Sequence, residues 1–178
     1  MFTPVGIDLP EYYEWVRGEA YPKVSPGVPH GRLQAALSTI LYLWGHESGI
    51  IASENDMNIT VAPDDIRRYL PDIHFTSYDT YDAHGSDIPD IQEIAPDLVV
   101  EIISPYQSLP YLNEKIRAFL VAGSPVVLIV DPDREAIDVH RPDGKSTLSR
   151  GERFVDERFP GLVVDVSALF DSLVRRRP

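Results

Sequence analysis

The stretch "APDLVVEIISPYQSLPYLNEKIRAFL", residues 95–120, holds Asp97, Glu101 and Lys115 at spacings that bear on chemistry. Leu98, Val99, Val100, Ile102 and Ile103 form the continuous apolar run of a buried strand, and Glu101 stands inside it. An ionised carboxylate buried without a partner is so unfavourable that it neutralises, pairs with a cation or binds a metal. Glu101 therefore sits at a solvated strand end, in a structural ion pair, or in a site that supplies a counter-charge. Asp97 is a supporting acid on the same strand face, but at about 3.3 Å per residue it lies roughly 13 Å from Glu101. Oxygen ligands sit about 2.0–2.6 Å from Mg²⁺ or Ca²⁺, so those two acids cannot share one ion. A second ligand must come from another segment. Asp72, at the mouth of "PDIHF", is the best candidate if that strand pairs beside residues 97–103.

Lys115 borders the apolar stripe of the following helix, next to Leu112 and Phe119. Its stem can pack there while the ammonium either snorkels to water or turns toward the pocket of Glu101. Two acids, a divalent ion and a lysine suit phosphodiester hydrolysis: the ion polarises a phosphoryl oxygen and lowers the pKa of a bound water, and the lysine can orient or activate that water and offset developing negative charge. A glycoside hydrolase using Asp72 and Glu101 as acid and base is a rival reading. It ranks lower because that chemistry needs no lysine and no aromatic sugar platform is evident.

The elements that must position these groups are legible from periodicity. "YEWVRGEAYPKV" reads as a hairpin about Gly18, with a short helix over 10–17 as the alternative. His30, Leu33, Ala36, Leu37, Ile40, Leu41 and Trp44 recur at three- and four-residue steps and predict an amphipathic helix. "GIIASE" and "MNITVA" read as strands joined at Asn55-Asp56, and "DIHFTS" as a third, entered through Pro71. Gly85, Ser86 and Pro89 mark residues 81–95 as a surface loop. A helix over 112–122 ends at Gly123, "PVVLIVD" is a buried strand, and Pro142-Asp143-Gly144 joins "AIDVHR" to "KSTLS". "LVVDVSALF" reads as a strand running into a short helix. The order predicts an α/β protein, a mixed β-sheet flanked by helices, in one domain over residues 1–178.

With 28 acidic and 16 basic side chains the formal charge is −12, which disfavours bulk electrostatic binding to nucleic acid. It leaves open an enzyme whose pocket is metal-filled, because a bound divalent ion can be the largest local charge. The absence of cysteine removes thiolate zinc sites and cysteine nucleophiles. No run approaches the roughly 18 apolar residues of a membrane span and the start lacks a signal-peptide pattern, so cytoplasmic residence is the default expectation.

Tyr13-Glu14, Gly18-Glu19, Pro29-His30, Pro71-Asp72, Val99-Val100-Glu101 with Ser104-Pro105, then Lys115, Gly123 and Asp131-Pro132 follow one another in an order that resembles a known family. It is the restriction-endonuclease family abundant in cyanobacteria, a branch of the PD-(D/E)XK nuclease superfamily. The ending "FPGLVVDVSALF" resembles it too. The resemblance implies a restriction-endonuclease-like core and a Mg²⁺- or Mn²⁺-dependent nuclease acting on DNA. Asp72 and Glu101 would hold the metal, and Lys115 would be the superfamily's lysine moved to a helix, since Ile103 stands where a Glu-x-Lys strand would place it. Glu14 and His30 would be supporting groups. A homodimer follows by analogy, with Arg67, Arg68 and Arg175 to Arg177 as local positive charge. Tyr111, Phe119 and residues 126–128 depart from the family pattern. A member that has lost catalysis and binds nucleic acid or protein is the alternative.

Overall fold

A computed structural model describes residues 12–23, 26–85, 91–105 and 107–174. The chain opens with strands β1 (Tyr13–Val16) and β2 (Glu19–Pro22), then helix α1 (Val28–Gly45). Strands β3 (Gly49–Ala52), β4 (Met57–Ala62), β5 (Asp65–Tyr69) and β6 (Ile73–Ser77) follow, with a short helix α2 (Tyr78–Ala83). Next come β7 (Leu98–Ile102), α3 (Leu109–Ala122), β8 (Val126–Asp131), β9 (Ala136–Arg141) and β10 (Gly144–Leu148). Strands β11 (Arg153–Phe154) and β12 (Val164–Asp165) and helix α4 (Val166–Asp171) end the described chain.

Six strands form one mixed sheet in the order β10-β9-β8-β7-β6-β3, with β7 and β8 parallel and the other neighbours antiparallel. The β7–α3–β8 crossover makes that parallel pair, as a helix between two parallel strands must. A second, antiparallel sheet runs β2-β1-β5-β4. The expected mixed sheet flanked by helices is what the chain forms.

Alternation along β7 decides what each layer holds. Leu98, Val100 and Ile102 point toward α1 and α4, where Leu33, Leu37, Leu41, Leu169 and Phe170 close one core. Val99 faces the other way, toward Leu112, Ile116 and Phe119 of α3 and Met57, Ile59 and Tyr69 of the second sheet. Burial of each such side chain contributes about 1.5–3 kcal/mol. Glu101 shares the parity of Val99, so its carboxyl points to the α3 side.

Local chemistry sets the boundaries. Arg17 and Gly18 both take positive φ, 51° and 83°, and close the β1–β2 hairpin in the way a two-residue turn requires. Pro29 lies in the first turn of α1, which starts two residues before His30. Ser108 caps α3 by accepting from the Tyr111 N–H, and Gly123, at φ 114°, ends it.

Several expectations are corrected. Asn55-Asp56 does join strands β3 and β4, but the two enter different sheets: β3 pairs with β6 in the six-stranded sheet, and β4 pairs with β5 in the other. Strand β5 was hidden by its charge. Its Arg67 is buried against Asp65 at 2.6 Å and Glu114 at 3.3 Å, while Arg68 binds Asp56 at 2.6 Å and covers the Tyr13 ring. Neither arginine is spare positive charge. Residues 81–83 close helix α2 rather than opening a loop, and Gln92 is buried between Tyr81 and Thr76. Ser86, Pro89 and Arg175 to Arg177 lie outside the described residues. Among the described residues, no helix is long and apolar enough to cross a membrane.

Candidate active site

The β6–β7 register pairs Ile73 with Val100 and His74 with Val99. Extended by one residue, it sets Asp72 opposite Glu101. Residues directly opposite on an antiparallel pair share a face with Cβ atoms roughly 5 Å apart, so the two carboxyls point into one space. The condition on which Asp72 depended as a candidate, a strand beside residues 97–103, is met.

Asp72 is held from three directions. Its Oδ2 accepts from the Ile102 N–H at 2.7 Å and lies 3.1 Å from His30 Nε2, and its Oδ1 accepts from Lys23 Nζ at 3.0 Å. His30 reaches it because it lies on the buried stripe of α1 with Leu33, Leu37 and Leu41. Gln34, one turn on, donates to the Asp72 carbonyl at 3.0 Å. Burial alone would raise the Asp72 carboxyl, but the His30 hydrogen bond and the Lys23 and Lys115 charges outweigh it and hold the group below the usual carboxylate range.

Lys115 projects from α3 between two acids, with Nζ 2.6 Å from Glu14 Oε1 and 2.6 Å from Glu101 Oε1. Glu14 comes from β1, and its own oxygens accept from the Leu70 N–H at 2.9 Å and the Tyr111 hydroxyl at 2.6 Å. The Lys115–Glu101 contact is ionic: the distance is short, but Glu101 Oε1 receives no well-aligned hydrogen bond among the described residues. Burial disfavours the Lys115 ammonium, yet Glu101, Glu14 and Asp72 more than compensate and keep it protonated beyond the ordinary lysine range. Glu101 moves the other way from Asp72. Burial, with the Asp72 and Glu14 charges, overcomes both lysines and pushes its carboxyl up to about 8.

The structure thus brings Glu14, His30, Asp72, Glu101 and Lys115 into one buried cluster. It does not bring Asp97 there. That carboxylate accepts from the Ser77 N–H at 2.6 Å and the Thr80 hydroxyl at 2.9 Å, and so fixes the start of α2. Lys23 was missed because a single lysine after Pro22, beyond a short exposed strand, carries no periodic signal. Tyr111, noticed only as a departure, proves to be a ligand of Glu14 and stacks on Tyr21 with ring centroids 4.3 Å apart.

The family described as "Putative restriction endonuclease" matches residues 8–167. The chain belongs to that family. Among solved structures, the crystal structure of a putative nuclease of the DUF820 family from Anabaena variabilis is similar at 22% identity and a TM-score of 0.80. The match covers 91% of each chain, so the two share a fold. No curated protein matches this chain. Family and fold together support a nuclease.

The donors fit a hard cation. Glu14, Asp72 and Glu101 gather carboxylate oxygens around the two ammoniums of Lys23 and Lys115. Mg²⁺ accepts one or two carboxylates and keeps waters for its remaining positions, so the Asp72–Glu101 pair is sufficient protein for it. Among the described residues there is no group of three or more acids, histidines or cysteines placed to hold a metal. The Asp72–Glu101 pair would leave an ion's other positions to water or to oxygens from elsewhere in the chain.

Proposed function

We propose that the chain is a nuclease that hydrolyses phosphodiester bonds in DNA with Mg²⁺ or Mn²⁺ held by Asp72 and Glu101. One observation carries this reading: an acid from the mouth of β6, an acid from β7 and a lysine from α3 meet in one buried cluster. When bound, the ion supplies Lewis-acid polarisation of a phosphoryl oxygen. The chain's own residues do the rest. His30 and the Ile102 N–H fix the Asp72 carboxylate, and Glu14 fixes the Lys115 ammonium. Because Lys115 stays charged, its role is to donate a hydrogen bond and offset negative charge on the transferring phosphoryl group rather than to accept a proton.

The net charge of −12 makes tight, sequence-independent DNA binding unfavourable, and an ion held by Asp72 and Glu101 would offset that charge locally. A homodimer would set two such sites on the two strands of a duplex. Incubation of the purified protein with supercoiled plasmid in Mg²⁺, Mn²⁺ or EDTA tests the proposal. Nicking or linearisation that needs the ion and is lost in Glu101→Gln and Lys115→Met is the expected result. A folded protein that binds Mn²⁺ or DNA without cutting is a binding module instead.

A further inference from the structure

Lys23, just after β2, has no part in the scheme above, yet its ammonium sits in a nest of oxygen. It donates to the Leu70 carbonyl at 2.7 Å and to Asp72 Oδ1 at 3.0 Å, and Glu54 Oε2 lies 3.3 Å away. Two carboxylates and a backbone carbonyl are the donor chemistry of a hard divalent cation. Glu54 is steered there by its surroundings. Its N–H donates to the Pro71 carbonyl at 2.9 Å, and Gln34 Nε2 lies 3.4 Å from its Oε1.

The two lysines of the cluster are held differently. Lys115 is clamped between Glu14 and Glu101 with its side chain 2% exposed, whereas the Lys23 side chain is 20% exposed and lies at the rim. A divalent ion on Asp72 Oδ1 and an ammonium 3.0 Å from the same oxygen would lie within a few ångströms of each other, and their repulsion there is large. One must leave. Lys23, with its flexible four-carbon stem and its opening to solvent, is the group able to do so.

We infer that Lys23 is a tethered cation holding the place of a divalent ion on Asp72, and that Glu54 becomes a further carboxylate ligand when the lysine swings out. The inference rests on the reading that Asp72 holds the ion. It adds a threshold: the ion must displace an internal competitor, so occupancy responds to divalent-ion concentration more weakly than the carboxylates alone would dictate. Asp72 is kept paired and ordered when the ion is scarce.

Mn²⁺ affinity of the full chain, measured from the electron-spin-resonance signal of free Mn²⁺, tests this without reference to cleavage. Lys23→Met is expected to bind Mn²⁺ at least tenfold more tightly than the wild type, and Lys23→Met combined with Glu54→Gln to lose most of that gain. In the wild type, Mg²⁺ is expected to speed labelling of Lys23 by an amine-reactive ester several-fold, read by peptide mass spectrometry, while Lys115 is unaffected. An unchanged or weaker Mn²⁺ affinity in folded Lys23→Met overturns the inference. Should that variant not fold, labelling of Lys23 that Mg²⁺ leaves unchanged or suppresses overturns it instead. Plasmid cleavage is scored separately. Tighter binding without cleavage retains the displaced lysine and sinks the nuclease, and cleavage with unaltered affinity does the reverse.

Discussion

Asp72 and Glu101 stand opposite each other one residue beyond the Ile73–Val100 pair, and their environments drive the two carboxyls apart. Asp72 has a hydrogen-bonded partner for each oxygen and stays ionised. Glu101, as buried as Asp72 but facing Lys115 without an aligned hydrogen bond and beside the Asp72 and Glu14 charges, is the one whose carboxyl is pushed up. Neighbouring acids whose surroundings push their pKa values apart are a recurrent feature of functional sites.

That divergence gives the apoprotein a pH-dependent stability. Glu101 rises in the folded state from the ordinary glutamate value to about 8, so its protonated form favours folding. The contribution is full at acid pH and is lost as pH rises from about 4.5 through 8. Glutamine at 101 does not titrate. Glu101→Gln is therefore expected to gain stability over the wild type across that window, with the largest difference at the alkaline end. Urea unfolding at pH 5, 7 and 9 without divalent ions measures it, and a difference that is flat with pH would remove the raised carboxyl from the account.

Lys115→Met removes the one cation that Glu14 and Glu101 share at 2.6 Å each. Leaving buried carboxylates uncompensated costs about 3–5 kcal/mol, and cleavage by the folded fraction is expected to fall by about 10²-fold or more. Thermal melting and plasmid cleavage normalised to folded protein separate the two effects.

Asp97 makes the opposite forecast. Asp97→Ala unties the Ser77 N–H and the Thr80 hydroxyl at the start of α2 and is expected to cost about 1–2 kcal/mol. Cleavage per folded molecule stays at the wild-type level. A loss of Mn²⁺ affinity in this variant would place Asp97 in the site after all.

Gly49 tests the frame rather than the chemistry. A Cβ there would lie 2.5 Å from the Thr76 carbonyl oxygen and 2.5 Å from the Phe75 ring. The ring can shift but the strand carbonyl cannot, so Gly49→Ala is expected to destabilise by about 1–3 kcal/mol in chemical denaturation.

Much of this was legible in the linear chain because it depends on local period. The stripe from His30 to Trp44, the apolar runs of β7 and β8, and the stop at Gly123 announce themselves within windows of a dozen residues. Strand β5 did not, since its Arg67 is buried by acids, one of them from a distant helix, and no pattern inside "DIRRY" reveals such partners.

By itself the sequence determined the strongly periodic elements, their apolar faces and the oddity of an acid in an apolar strand, because periodicity and the cost of a buried charge are written residue by residue. Only the tertiary structure decided which charges meet. The β6–β7 register set Asp72 against Glu101, the β1 hairpin carried Glu14 to Lys115, and the chain after β2 delivered Lys23 to Asp72 across 49 positions. Those contacts join segments far apart in the chain, and their geometry follows from how sheets and helices pack. Spacing along the polypeptide carries no record of it.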